Sequence, residues 1–190
     1  MPVWRTDREK QTMFEEVALV HLSGLYYAAL RLTGRPADAE DLLQETYTRA
    51  YAAFDRFTQG TNARAWLYRI MNNIFLNQVN RAETKRTRTF SATAPAELAA
   101  LIDPGTPDPA DVLMTATLDD RLSQALLELP ADFRSALVAV DVSGFSYEEA
   151  AALLNCPVGT VRSRLYRARN LLRVRLTGEA TREPREGHHD

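Results

Sequence analysis

One stretch of the chain has side chains suited to binding phosphates and base edges. It runs from Gly159 to Arg175, GTVRSRLYRARNLLRVR, and holds six arginines and no acidic residue, although the whole chain has 23 basic and 25 acidic side chains. A guanidinium group binds guanine or phosphate through two parallel hydrogen bonds, and hydroxyl groups add further donors and acceptors. The stretch therefore predicts contact with nucleic acid.

A second group mixes aromatic, amide and basic side chains. It begins at Phe57, continues through the polar loop TQGTN and ends at Asn77. Unpaired bases are held by stacking, by amide hydrogen bonds and by positive charge along the backbone, so this mixture suits a single strand better than a duplex. The candidate contacts are Phe57, Asn62, Arg69, Asn73 and Asn77. Trp66, beside Leu67 and Ile70, is predicted to lie in the core.

The elements that position these groups can be predicted from spacing. Apolar residues from Phe14 to Leu32 follow helical spacing and stop at Gly34, which suits a helix C-terminus. A second helix is predicted to begin at Pro36, and Thr61 or Asn62 is predicted to cap a third. Three helices joined by short loops can close one core.

The C-terminal part has the pattern of a helix-turn-helix. Ser146 and Glu149 form a predicted capping box that starts a short helix, NCP turns the chain, and a basic helix begins near Val158. Its predicted inner positions are Val161, Leu165, Ala168 and Leu172. Arg162, Ser163, Tyr166 and Arg167 are predicted on its outer face, where base edges are reachable. We expect the remaining arginines, Arg164, Arg169, Arg173 and Arg175, to meet phosphates or a partner protein.

The fold class that follows is all-α, with two small helical domains joined by a flexible linker. The predicted domains cover residues 10–83 and 113–176, and residues 177–190 form a polar tail that we expect to be disordered. The linker, residues 84–112, holds four prolines, with a short helix predicted from Ala96 to Leu101. We expect essentially no sheet.

The sequence argues against several other classes of protein. No segment resembles a membrane span or a secretory apolar core, so we expect a soluble, cytoplasmic protein without membrane insertion. The single cysteine, Cys156, excludes an intrachain disulfide, and its simplest role is that of a small buried residue. The three histidines, His21, His188 and His189, lack the spacing of a metal-ligand set. We therefore expect no metal, no cofactor and no metal-dependent enzymatic activity.

Blocks in both halves resemble the extracytoplasmic-function (ECF) sigma factors, the smallest bacterial initiation factors of the sigma-70 family. In the second half these are LPADFRSAL, residues 129–137, and the stretch from SYEEAAALL to CPVGTVRSRLYRAR, residues 146–169. In the first half they are ADAEDLLQETYTRAYAAFDRF, residues 37–57, and GTNARAWLYRIMNNIFLNQVNR, residues 60–81. The linker and both termini match no pattern of the family.

The resemblance implies a role for each group of residues. The second half would read the minus-thirty-five promoter element through Thr160, Arg162, Ser163, Tyr166 and Arg167. The loop after Phe57 and the Asn73 side chain would hold a flipped base of the minus-ten strand, with Asn62, Arg69 and Asn77 beside them. A surface on the second helix would dock on the beta-prime coiled coil of core RNA polymerase, and its residues are Asp38, Asp41, Leu42, Gln44, Glu45 and Arg49. From composition alone, this surface would be interpreted as a solvated helix face without a partner.

The family also implies partners and regulation. The implied partners are promoter DNA, the beta-prime coiled coil and beta flap of core polymerase, and an anti-sigma factor. The anti-sigma factor would hold this chain inactive until a stress signal arrives. GTNARAWLYRIMNN is most similar to the branch with zinc-containing anti-sigma factors. The alternative is a stand-alone helix-turn-helix regulator, which would bind duplex DNA tightly without polymerase and would have no use for the group from Phe57 to Asn77.

Overall fold

The computed structural model describes residues 6–58, 60–86 and 121–177, with side chains up to residue 82 in the second range. The first half, residues 6–86, contains α1 (Asp7–Ala18), α2 (Leu22–Thr33), α3 (Pro36–Ala53) and α4 (Ala63–Arg86). The second half, residues 121–177, contains a helical stretch α5 (residues 121–127), α6 (Ala131–Leu137), α7 (Tyr147–Leu154) and α8 (Val158–Thr177). No strand occurs in these ranges, and the all-α prediction is confirmed.

The predicted helix boundaries of the first half are confirmed where a local cap defines them. Gly34 ends α2 at φ 79°, a left-handed conformation that glycine adopts without a Cβ clash. Pro36 is the first residue of α3. Asn62 caps α4, because its side-chain oxygen accepts a hydrogen bond from the backbone N–H of Ala65 at 3.0 Å.

One boundary differs from the prediction in the first half. The apolar pattern from Phe14 to Leu32 predicts a continuous helix, whereas a 3-10 turn at Leu19–His21 separates α1 from α2. Periodicity did not reveal the turn, because the apolar spacing continues across it. The chain changes direction there, and Leu19 and Val20 are left exposed on the outside of the turn.

Aromatic and aliphatic side chains from all four helices build the first core. The Phe14 ring packs edge-on against Phe54, with ring centroids 5.2 Å apart. Leu32, Leu42 and Leu67 are completely buried. This core fixes the orientation of α3 and α4, whose outer faces carry the polar groups singled out above.

The second half contains the predicted helix-turn-helix. Ser146 and Glu149 form the capping box at the start of α7. Asn155 ends α7 in the left-handed conformation at φ 50°, and α8 begins at Val158. All four predicted inner residues of α8 are buried. A π-helical turn at Val138–Val142, which local patterns did not indicate, brings the chain from α6 to α7.

The linker prediction is only partly within the described structure. Helix α4 runs to Arg86, so the chain is still helical at residues 84–86, where the linker was predicted to begin. The rest of that segment, including the helix predicted at Ala96–Leu101, lies outside the described residues, as does the tail after Thr177. Within the described ranges, no helix is long and apolar enough to cross a membrane. The domain bounds 10–83 and 113–176 stay predictions.

Candidate nucleic-acid interface

The outer face of α8 presents the predicted base-reading side chains to solvent. Arg162, Ser163, Tyr166 and Arg167 are all exposed, and Tyr166 is 64% exposed in spite of its size. Residues spaced by three and four lie on one side of a helix, so these groups form a continuous surface opposite the buried positions. A large exposed aromatic ring between two arginines fits a binding surface better than a solvated helix face.

Two contacts orient this face. The Arg162 guanidinium lies 6.0 Å from the centre of the Tyr147 ring, at the first turn of α7, which is within the range of a cation–π interaction. The Ser163 hydroxyl donates to the backbone oxygen of Thr160 at 3.0 Å. Thr160 itself is half-buried, so its side chain is at the edge of the surface. Sequence reasoning missed Tyr147, because it is 15 residues away from Arg162 in the chain and meets it only through the packing of α7 on α8.

Three of the six arginines have an internal role. Arg164 binds Asp132 at 2.7 Å, Arg169 binds Asp141 through two hydrogen bonds of 2.6 and 2.9 Å, and Arg175 binds Glu128 at 2.6 Å. The hydrogen bonds to Asp141 raise the pKa of the Arg169 guanidinium. These pairs attach α8 to the rest of the second half, so Arg164, Arg169 and Arg175 have partners within the chain that the sequence did not predict; their contact with phosphates or a partner protein stays a prediction.

The positive charge that remains on α8 is therefore concentrated on its outer face. Arg162, Arg167 and Arg173 are exposed and take part in no ion pair within the described ranges. The partners of Arg164, Arg169 and Arg175 were unpredictable from the sequence, because Asp132, Asp141 and Glu128 belong to other elements. The basic helix thus combines structural arginines with free ones.

A second polar stripe lies along α4. Arg69, Asn73 and Asn77 are spaced four residues apart and are all exposed. Each step of four residues turns the helix by about 40° more than a full turn, so the three groups follow one shallow line along its surface. The stripe offers amide donors and acceptors next to one positive charge, a combination suited to unpaired bases and backbone.

The structure corrects the role of Phe57. The residue is only 5% exposed. Its ring stacks on that of Phe54, with centroids 5.7 Å apart, and packs against that of Trp66, with centroids 4.8 Å apart. A buried ring cannot stack on a base, so Phe57 is part of the first core. Trp66 packs against the core as predicted. Asn62 is exposed, but its side-chain oxygen already caps α4.

The surface on α3 is also only partly as predicted. Leu42 is completely buried in the first core and is removed from the candidate contacts. Asp38 binds Arg35 at 2.6 Å, while Glu45 binds Arg49 at 2.5 Å and accepts from Gln78 at 3.1 Å. Asp41 and Gln44 are exposed. The polar groups of this surface form a ridge along α3, with the Arg35–Asp38 ion pair at one end and the Glu45–Arg49 ion pair at the other. We name this surface the α3 ridge.

No group of three or more metal-ligating side chains occurs in the ranges described. Cys156 is half-buried, with its sulfur 3.9 Å from an Arg164 nitrogen. The two polar surfaces, on α8 and α4, offer hydrogen-bond donors, hydrogen-bond acceptors and positive charge.

Comparison with known proteins agrees with this division into two surfaces. The family model for sigma-70 region 2 matches residues 19–85, which include α4, and the model for sigma-70 region 4 matches residues 119–172, which include most of α8. The chain is 40% identical over 151 residues to the ECF RNA polymerase sigma factor EcfG of Rhodopseudomonas palustris, covering 78% of this chain and 76% of that one. This chain belongs to the ECF RNA polymerase sigma factors, which are initiation factors without enzymatic activity.

Two further comparisons extend the likeness. The chain is 36% identical over 170 residues to the ECF sigma factor SigE of Mycolicibacterium smegmatis, covering 88% of this chain; it spans only 63% of that relative's length. Among solved structures, the sigma factor RpoE of Bartonella quintana, crystallised with the anti-sigma factor NepR, is 33% identical, with a TM-score of 0.66 over 89% of this chain and 99% of that one.

Proposed function

We propose that this chain directs core RNA polymerase to promoters by reading an upstream duplex element with α8 and holding the melted minus-ten strand on α4. The observation that carries the proposal is the presence, in one ECF sigma factor chain, of two exposed surfaces with different chemistry. Arginines and a tyrosine dominate the first, and asparagines dominate the second. The polymerase carries out the chemistry of RNA synthesis.

The α8 surface fits the major groove. An α-helix enters this groove with the residues near its N-terminus facing base edges, and Arg162, Ser163 and Arg167 are in its first three turns. Arginine reads guanine through two hydrogen bonds, and serine accepts or donates according to the base. Arg173, two turns further along, is positioned for a phosphate.

The α4 stripe fits a strand that has lost its partner. Extruding a base costs a few kcal/mol, which must be offset by a pocket and by phosphate contacts. We assign the pocket to Asn73 and the loop after Phe57, with Arg69 for phosphate. Asn77 extends the stripe by one turn.

The α3 ridge is the proposed docking site for the beta-prime coiled coil, through Asp41, Gln44 and the Glu45–Arg49 pair. The second half is expected to contact the beta flap. An anti-sigma factor is the other proposed partner, in line with the RpoE relative that was solved with NepR. We propose a zinc-containing anti-sigma factor because the block GTNARAWLYRIMNN is similar to the branch of the family that has one. We propose that the chain acts in the cytoplasm.

Run-off transcription tests the proposal. Core RNA polymerase from the same source, shown to be active with another sigma factor, is mixed with linear genomic fragments, with and without this chain. We expect specific transcripts only when the chain is present, and far fewer when it carries Arg162→Ala and Arg167→Ala together. Footprints on duplex DNA without polymerase, and no new transcripts with it, would instead establish a stand-alone regulator.

A further inference from the structure

Arg162 is held on the outer face of α8 in a different way from the paired arginines of that helix. Arg164, Arg169 and Arg175 each donate to a carboxylate, which occupies N–H groups of the guanidinium. Arg162 has no such partner within the described ranges, and its guanidinium lies 6.0 Å from the centre of the Tyr147 ring. The negative face of a ring attracts the cation and leaves all five N–H donors available for another group.

The Tyr147 ring has little freedom to move. Tyr147 is the first residue of α7 and directly follows Ser146, whose capping box with Glu149 fixes the backbone at this end of the helix. The side chain is half-buried and packs against the hydrophobic core. A tyrosine has only two rotatable side-chain bonds, so a ring with one side against the core can hold a neighbouring side chain in one orientation.

The hydroxyl end of the same ring meets Arg169. Asp141, in the π-helical turn Val138–Val142, accepts two hydrogen bonds from Arg169, at 2.6 and 2.9 Å. These bonds raise the pKa of the Arg169 guanidinium, and the Tyr147 hydroxyl, which also accepts from it, adds a smaller rise. Contacts thus run without a break from the π-helical turn, through this guanidinium and the tyrosine, to Arg162 on the outer face.

Arg167, five residues further along α8, provides a comparison within the same helix. It is also exposed, but among the described residues no ring lies against it and no carboxylate pairs with it. A free arginine side chain must give up rotamer freedom when it binds, whereas one that is already held gives up less. The two arginines therefore differ in how well they are oriented before DNA arrives.

We infer that Tyr147 is a positioning residue for promoter reading: its ring holds the Arg162 guanidinium in the orientation from which that group donates to a guanine. Arg169 and Asp141 keep the ring in place. The inference rests on the proposed function, in which Arg162 reads one base pair of the upstream element. Because two parallel hydrogen bonds to guanine require a defined orientation, Tyr147 acts on the preference for one base and not on affinity for DNA in general.

Binding of holoenzyme to a set of promoter fragments measures this effect. The fragments derive from a promoter mapped by run-off transcription, and each carries one base-pair change in the upstream element. The pair that Arg162 reads is the one at which Arg162→Ala loses the preference of the parent chain. The pair that Arg167 reads is identified in the same way with Arg167→Ala. Dissociation constants for the fragments then give the preference at each pair.

The tyrosine variants should act at one of these two pairs only. Tyr147→Leu should lower the preference at the Arg162 pair about two- to fivefold, the range that an exposed cation–π contact provides, and leave the Arg167 pair unchanged. Tyr147→Phe keeps the ring and should retain the preference of the parent chain. Tyr27→Leu removes a tyrosine that is 57% exposed on α2, and this matched control should change neither pair. In a chain with Arg162→Ala, Tyr147→Leu should have no further effect on preference.

Two results with these variants would overturn the inference. One is an unchanged preference at the Arg162 pair in Tyr147→Leu. The other is a uniform loss of affinity on every fragment in both Tyr147→Leu and Tyr147→Phe, which is the result expected if the hydroxyl contacts the DNA backbone directly. Circular dichroism and urea denaturation check that the variants are folded.

Nuclear magnetic resonance of the free parent chain tests the contact without any substitution. We expect nuclear Overhauser contacts between the ring protons of Tyr147 and the Cδ protons of Arg162, and none from that ring to Arg167. Absence of the contact to Arg162 would overturn the inference, whether or not Tyr147→Leu folds.

The binding results also separate this inference from the proposed function. A parent holoenzyme without preference at any upstream base pair would show that the proposed function is wrong, and the inference would fall with it. A parent holoenzyme that selects its promoter, together with an Arg162 pair that is insensitive to Tyr147→Leu, would overturn the inference alone. The same holds if Arg162→Ala loses preference at no pair.

Discussion

At the residue scale, the arginines of α8 divide into those that hold the helix and those that face outward. Helical periodicity was enough to predict the outward positions, because the buried set Val161, Leu165, Ala168 and Leu172 defines the opposite side. It could not reveal which arginines are paired, since their acidic partners are on other elements. For the same reason the burial of Phe57 was missed, because it depends on tertiary packing. Leu42 is on the apolar face of α3, and only the family resemblance had assigned it to the docking surface.

This division predicts different effects for two alanine variants. Arg167→Ala should lose about 1–3 kcal/mol of binding at one base pair of the upstream element and leave stability unchanged. Arg169→Ala breaks the pair with Asp141, which is partly exposed, so it should lower the free energy of unfolding by only about 0.5–1 kcal/mol. Binding of holoenzyme to promoter variants and urea denaturation measure the two effects. Equal loss of stability in both variants would contradict the assignment.

At the element scale, local caps defined most of the helices correctly. Gly34, Pro36, Asn62 and Ser146 act through their own backbone neighbours, so the sequence contains all the information needed to place them. The 3-10 turn at Leu19–His21 and the π-helical turn at Val138–Val142 have no such local signal. They follow from how the helices pack, so the apolar pattern of the sequence does not predict them.

The capping box provides a test at this scale. Ser146→Ala removes the hydroxyl that accepts from the Glu149 backbone N–H at 3.1 Å, so it should lower the free energy of unfolding by about 1 kcal/mol. Ser23→Ala on α2, where the serine is exposed, is the control and should change it by only a few tenths. Urea denaturation followed by circular dichroism compares the two. A cost for Ser146→Ala no larger than for the control would contradict the role of the cap.

At the scale of the whole molecule, the chain has two helical parts, which we propose to work at separate promoter elements. The sequence indicated the two parts through the proline-containing linker between them, residues 84–112. It did not indicate the contact between the parts, because Arg64 donates a hydrogen bond to the backbone oxygen of a residue 79 positions away in the chain, Ser143.

The central claim, that α4 holds a melted strand while α8 reads duplex DNA, is tested most directly by permanganate footprinting. Holoenzyme containing the parent chain should make thymines of the minus-ten region reactive, and Asn73→Ala should abolish most of that reactivity while upstream protection from DNase persists. The account would be contradicted if Asn73→Ala opened the promoter as well as the parent chain, or if it lost upstream protection and opening together while its fold was intact.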